Sequence, residues 1–161
     1  MESDNHSFQY TIHSDYATLS PADAELCGLA LVSTHNAYAP YSQFYVGVAI
    51  RAADGSLATG SNQENGAFPV GQCGDRTALY QFIDRFGRII IDTIAIVVKN
   101  EGQSTPASPC GSCRQLLMEY RMQQQSPIRL LLGVSGSQLV YEINDISDLL
   151  PLAFDGSFLG I

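Results

Sequence analysis

Three cysteines at two places constrain this chain more than any other feature. Cys73 stands in "GQCGDRTAL" with Asp75 two positions later, and Cys110 and Cys113 form a C-x-x-C in "SPCGSCRQLL". Both stretches read as a loop running into a helix. One helical turn puts the Cys110 and Cys113 sulfurs on a single face. Helix N-termini direct N–H groups and partial positive charge outward, which stabilises thiolates and lowers their pKa. A fold that joins the two N-termini offers three sulfurs to one tetrahedral Zn²⁺ and leaves a fourth position open, as catalytic sites do. The C-x-x-C alone fits a redox dithiol equally well. Cys73, with its carboxylate two residues on, moves the reading to zinc. Cys27, inside the apolar "ELCGLALV", reads as a small buried hydrophobe.

The 161 residues fit one domain, 1–161, with 1–18 as a partly flexible N-terminal extension. A formal net charge of −8 and a pI near 4.6 exclude nucleic acid and anionic membranes as partners, since both need clustered Lys and Arg. A small or neutral ligand fits better. The start, "MESDNHSFQYTIHSDY", has neither a basic n-region nor an apolar h-region, and no run is long enough to span a bilayer. Four cysteines without a secretory signal point to a reducing compartment, the cytoplasm. His6, His13 and His35 fit no ligand spacing and read as surface or helix residues.

The pattern along the chain is α-β-β-α-β-α-β-β-α. Ser20 reads as an N-cap with Pro21 at the first helical position and Asp23 in the first turn, ahead of a buried face of Leu26, Leu29, Ala30 and Val32. "FYVGVAIRAADGSLATGSN" reads as a hairpin turning at Asp54-Gly55. Leu79, Phe82, Ile83 and Phe86 keep a 3.6-residue period that stops at Gly87. "IIIDTIAIVV" is apolar enough for the middle of a sheet covered on both faces. A third helix follows Cys110, then two strands around Gly133 to Gly136, and a short helix in "DISDLLP". The fold class expected is α/β: a three-layer α/β/α sandwich on a central mixed sheet of about five strands.

The two cysteine motifs resemble those of the zinc-dependent deaminases, whose pattern is a His or Cys, an acid two residues later, then P-C-x-x-C. The wider sequence is similar to the small, three-cysteine cytidine deaminases. "APYSQFYVGVAI" resembles the family's A-P-Y-S-K-F-x-V-G, and "GSNQENGAFPVGQCGDRTAL" its N-x-E-N and C-A-E-R-T-A segments. "SPCGSCRQLL" resembles S-P-C-G-A-C-R-Q, and "ISDLLPLAF" the C-terminal L-L-P-x-x-F, so matches run from Pro21 to Phe154.

The resemblance implies one Zn²⁺ per chain on Cys73, Cys110 and Cys113, with Asp75 as the catalytic acid and base. It implies hydrolytic deamination of cytidine and deoxycytidine in pyrimidine salvage, by a homotetramer with sites near subunit interfaces. Substrate-binding roles fall on Phe44 against the pyrimidine, on Asn62 and Glu64 at the ribose, and on Gly74 and Ser108. Phe154 would reach a neighbouring subunit's site. Arg76, which follows the first ligand closely, is expected to donate to a ligand sulfur and drain its negative charge; the alternative leaves it facing solvent.

The acid departs from the family, which has Ala-Glu where this chain has Gly74-Asp75. Aspartate is shorter by one methylene, about 1.5 Å of chain. A misplacement of about 1 Å costs on the order of a hundredfold in rate. Gly74, having no Cβ, is expected to let the backbone carry Asp75 forward. Beside the active enzyme stand two alternatives: a catalytically weakened zinc-bearing nucleoside binder, and a deaminase of another small aminonucleoside.

Overall fold

The computed structural model describes residues 5–160; the first four residues of the expected extension, and Ile161, lie outside the described residues. Among the described residues six strands form one sheet. They are β1 (Tyr10–His13), β2 (Tyr45–Ala52), β3 (Leu57–Ser61), β4 (Ile91–Lys99), β5 (Arg129–Val134) and β6 (Val140–Ile143), arranged β1-β6-β5-β4-β2-β3. The β4–β5 pair is parallel and the other pairs are antiparallel, so the sheet is mixed. The apolar β4 lies between β2 and β5, inside the sheet as its composition requires. The strand missing from the sequence reading is β1, which adds to the β6 edge and ties part of the expected extension into the sheet.

Among the described residues three α-helices cover the two faces. On one side α1 (Pro21–Ser33) packs Leu26, Cys27 and Ala30 against Ala49, Ala95, Val97, Leu131 and Val140. On the other, α2 (Gly74–Phe86) and α3 (Gly111–Gln124) bury Leu79, Phe82, Leu117 and Tyr120 against Val48, Ile50, Ile94, Ile96, Leu130 and Leu132. These are the three layers expected. The Ser20 hydroxyl accepts from Asp23 N–H, as the capping signal predicts. Val32, expected in the core, is 62% exposed, because the buried face of α1 runs through positions 23, 26, 27, 30 and 33. The expected last helix is a 3₁₀ turn over Ile146–Leu149. Close packing of α2 on β3 depends on Gly60, where a Cβ would stand 2.3 Å from the Ala78 backbone nitrogen.

A row of alternating charges crosses the α1 side of the sheet. Arg51 bridges Asp92 and Asp23, each at 2.9 Å; Arg129 bridges Asp23 at 2.6 Å and Glu142 at 2.9 Å. His13, expected on the surface or in a helix, is a strand residue that ends this row, 2.8 Å from Glu142 and 2.9 Å from Thr18 Oγ1. Burial pushes the Asp23 carboxyl up, but hydrogen bonds from Ser20, Arg129 and Arg51 outweigh it and leave the pKa below the ordinary value.

Candidate active site

β3 and β4 both run antiparallel to β2 and so in one direction, and because α2 follows β3 and α3 follows β4, the two helices start at the same end of the sheet. Cys73 is the N-cap of α2 and Cys110 the N-cap of α3, and neither thiol caps its own helix. The sulfurs therefore point away from the helices and toward each other. Cys73 Sγ lies 3.9 Å from Cys110 Sγ, which lies 3.5 Å from Cys113 Sγ, and all three fall within 4.8 Å of one another. Thiolates bound to one tetrahedral zinc at about 2.3 Å stand about 3.8 Å apart. The spacing fits one Zn²⁺ per chain. Cys27 is fully buried on the inner face of α1 and outside this group, and burial pushes its thiol up to about 12.

The electrostatics suit a metal as well. The neighbouring Cys113 thiol, opposed by burial and helped by Cys110, brings Cys73 down to about 6. Cys113 moves the opposite way, raised by its contact with Cys73 and by burial. Arg76 is half-buried and donates no hydrogen bond to any sulfur among the described residues. Its effect on Cys73 is through space, where its charge favours the thiolate. The polar tie to the metal loop comes from Arg114 instead. Its guanidinium donates to Pro109 O at 2.8 Å, Ser108 Oγ at 2.7 Å and Leu149 O at 3.2 Å, fixing the two residues ahead of Cys110.

A cavity of about 710 Å³ opens beside the sulfurs, lined among others by Phe44, Asn62, Glu64, Cys73, Gly74, Asp75, Ser108 and Cys110. Seven of the residues singled out from sequence thus converge with the acid, and Cys113 lies buried behind them. Asp75 is 6% exposed, and its Oδ1 is buried with no hydrogen-bond partner. Burial pushes its carboxyl above the ordinary carboxylate range, against the pull of its own backbone N–H, of Cys113 and of Arg76. A buried carboxylate oxygen without a partner is costly unless a ligand completes it. Phe154 does not line this cavity; it is 57% exposed and stacks on Phe158 at 5.6 Å.

Asn62 and Glu64 hold the loop that carries Phe44. Asn62 Nδ2 donates to Phe44 O at 2.8 Å while its Oδ1 accepts from Val46 N–H at 2.8 Å. Glu64 accepts from the Tyr41 and Ser42 N–H groups at 3.0 and 3.2 Å and from the Ser42 hydroxyl. The Ser42 hydroxyl, with those two N–H groups, keeps its carboxyl below the usual range and hence ionised. Each side chain retains free lone pairs, and Asn62 a second N–H, for a ligand. Sequence reasoning missed Tyr41, which pairs edge to face with Phe68 at 5.9 Å on the cavity wall, and Ile96 and Val98 on its floor. The alternation within β4 puts Ile96 and Val98 on one face, which was the available signal.

Residues 20–126 match the family described as the cytidine and deoxycytidylate deaminase zinc-binding region. A cytidine deaminase of Halalkalibacterium halodurans is 36% identical over 126 residues, 78% of this chain and 88% of that protein. One from Sporosarcina psychrophila is 42% identical over 84 residues, 52% of this chain and 59% of that protein. The crystal structure of a Burkholderia pseudomallei cytidine deaminase aligns with a TM-score of 0.71 at 32% identity, covering 84% of this chain and 100% of that one.

Proposed function

The chain belongs to the cytidine and deoxycytidylate deaminase family, and from that premise we propose that it hydrolyses cytidine and deoxycytidine to uridine and deoxyuridine with release of ammonia. One observation carries the reading: three sulfurs within 4.8 Å border the cavity in which Asp75 keeps a buried, unpartnered oxygen. Zinc held by Cys73, Cys110 and Cys113 supplies an attacking water acidified toward neutral pH.

The other tasks fall to the chain's own residues. Asp75 takes one proton from the attacking water and passes it to ring N3 as the C4–O bond forms, then takes the second proton of that oxygen and delivers it to the amino group as the C4–N bond breaks and ammonia leaves. Its raised pKa suits both directions of transfer. Phe44 packs against the pyrimidine. Asn62 and Glu64 use their remaining lone pairs and N–H on the ribose hydroxyls, which penalises a free base. Gly74 and Ser108 complete the wall around the ring.

The family name spans nucleosides and nucleotides, and the cavity distinguishes them. Its charged lining residues are Glu64 and Asp75, and no Lys, Arg or His lines it among the described residues. A 5′-phosphate would meet an ionised carboxylate and no cation. Like charges brought together repel, which disfavours a phosphate beside Glu64. The proposed substrate is accordingly the uncharged nucleoside, and the proposed cellular role is pyrimidine salvage in the cytoplasm. Among the described residues no helix is long and apolar enough to cross a membrane. The proposed assembly is a homotetramer, in which the exposed Phe154 would reach a neighbour's cavity.

The missing methylene at Asp75 favours a second reading, a zinc-bearing nucleoside binder of the same fold with weakened turnover. Incubating zinc-loaded protein with cytidine and with its 5′-monophosphate separates these readings. Ammonia release from cytidine, faster than from the monophosphate, supports the proposal. Tight cytidine binding without ammonia supports the second reading, and equal rates contradict the charge argument.

A further inference from the structure

Gly74, between Cys73 and Asp75, sits where even a methyl side chain would be tight. A Cβ there would stand 3.2 Å from Val46 Cγ1, 3.2 Å from Val48 Cγ2 and 3.3 Å from Val46 O. Carbon atoms pack at about 3.5–4.0 Å. Val48 is fully buried and both valines belong to the doubly paired β2, so the neighbours have little slack. The backbone does not ask for glycine here: Gly74 is the first residue of α2 and is absent from the positive-φ positions. Glycine is also the poorer helix former. What it supplies is clearance.

The next residue is the short acid, whose Oδ1 lies buried in the cavity with no partner. We infer that Gly74 is a positioning residue for Asp75: without a Cβ, the first turn of α2 seats against Val46 and Val48 a few tenths of an ångström deeper than alanine would permit, and this depth places the shorter carboxylate at its working position. The inference rests on the deaminase reading above. The seat does not span the whole missing methylene, about 1.5 Å, and side-chain torsion covers the rest. It matters because a misplacement of about 1 Å costs on the order of a hundredfold, so a few tenths of an ångström changes the rate roughly three- to tenfold. Glycine with aspartate, and alanine with glutamate, are matched pairs; the crossed pairs are mismatched.

Four zinc-loaded proteins test this: the parent, Gly74→Ala, Asp75→Glu and the double variant. Beside Asp75, Gly74→Ala is expected to lower kcat roughly three- to tenfold with KM and zinc content unchanged. Beside Asp75→Glu, the same change raises kcat. In the metal-free proteins Gly74→Ala melts no higher than the parent, despite alanine's better helix propensity. An effect of equal sign in both backgrounds, or none in either, overturns the inference. Should Gly74→Ala fail to fold, Asp75→Glu alone decides: no gain in kcat supports it and a gain above about tenfold overturns it. Absence of turnover in all four proteins removes the functional reading and this inference with it, whereas turnover with additive effects removes the inference alone.

Discussion

Cys73 Sγ and Cys110 Sγ stand 3.9 Å apart although 37 positions separate them in the sequence, because each residue stands at the N-cap position of a helix that starts at the same end of the sheet. With Cys113 3.5 Å from Cys110, the metal site is written into the topology. Changing Cys110 or Cys113 to serine should drop bound zinc from one per chain to near zero, measured by elemental analysis. Cys27→Ser should keep the full complement, since Cys27 lies outside the group.

Arg114 braces the loop before Cys110 through Pro109 O and Ser108 Oγ. Groups that orient metal ligands typically contribute 10–100-fold in metal affinity. Arg114→Ala should weaken zinc binding by about that factor in a competition titration with a chelator. Arg76→Ala, which removes through-space effects on Cys73 and Asp75 and no hydrogen bond to a sulfur, should cost less zinc affinity.

Glu64 and Asn62 act on the Phe44 loop from opposite sides, through Ser42 and through Phe44 O and Val46 N–H. Truncating Asn62 to alanine leaves two backbone groups unpaired, at about 1–3 kcal/mol for such a loss. Melting temperature should fall and KM for cytidine should rise. Glu64→Gln keeps the shape and removes the charge, so it should narrow the preference for cytidine over its 5′-monophosphate.

Asp23 is 5% exposed and pairs with both Arg51 and Arg129. Its folded pKa lies below the ordinary aspartate value of about 3.9, so its contribution is present above that value and is lost as pH falls through the folded pKa. Removing one partner of a buried ion pair costs about 3–5 kcal/mol. Asp23→Asn should lose on the order of 3 kcal/mol in denaturant melts at pH 7, and the gap between parent and variant should close below about pH 4.

The helices α1 to α3, the hairpin and β4 were legible because each carries a period, a cap or a turn signal that local chemistry enforces. Cys73, Asp75, Cys110 and Cys113 were legible because few chemistries need that spacing. Strand β1 was not: Tyr10–His13 is short, exposed and polar, and it is a strand only because β6 offers an open edge. The row from Asp92 to His13 was equally hidden, since six residues from five strands and one helix become neighbours only after the sheet forms. The roles of Arg76 and Arg114 depend on side-chain direction at the helix start, which their place in the sequence leaves open.

Steady-state ammonia release from cytidine, by the zinc-loaded parent beside Asp75→Asn and Cys110→Ser, tests the central claim most directly. Zinc-dependent turnover by the parent, reduced by about 10²–10⁴ in Asp75→Asn and absent from Cys110→Ser, is the predicted result. A zinc-saturated parent that releases no ammonia, or an Asp75→Asn protein that matches it, would contradict the account.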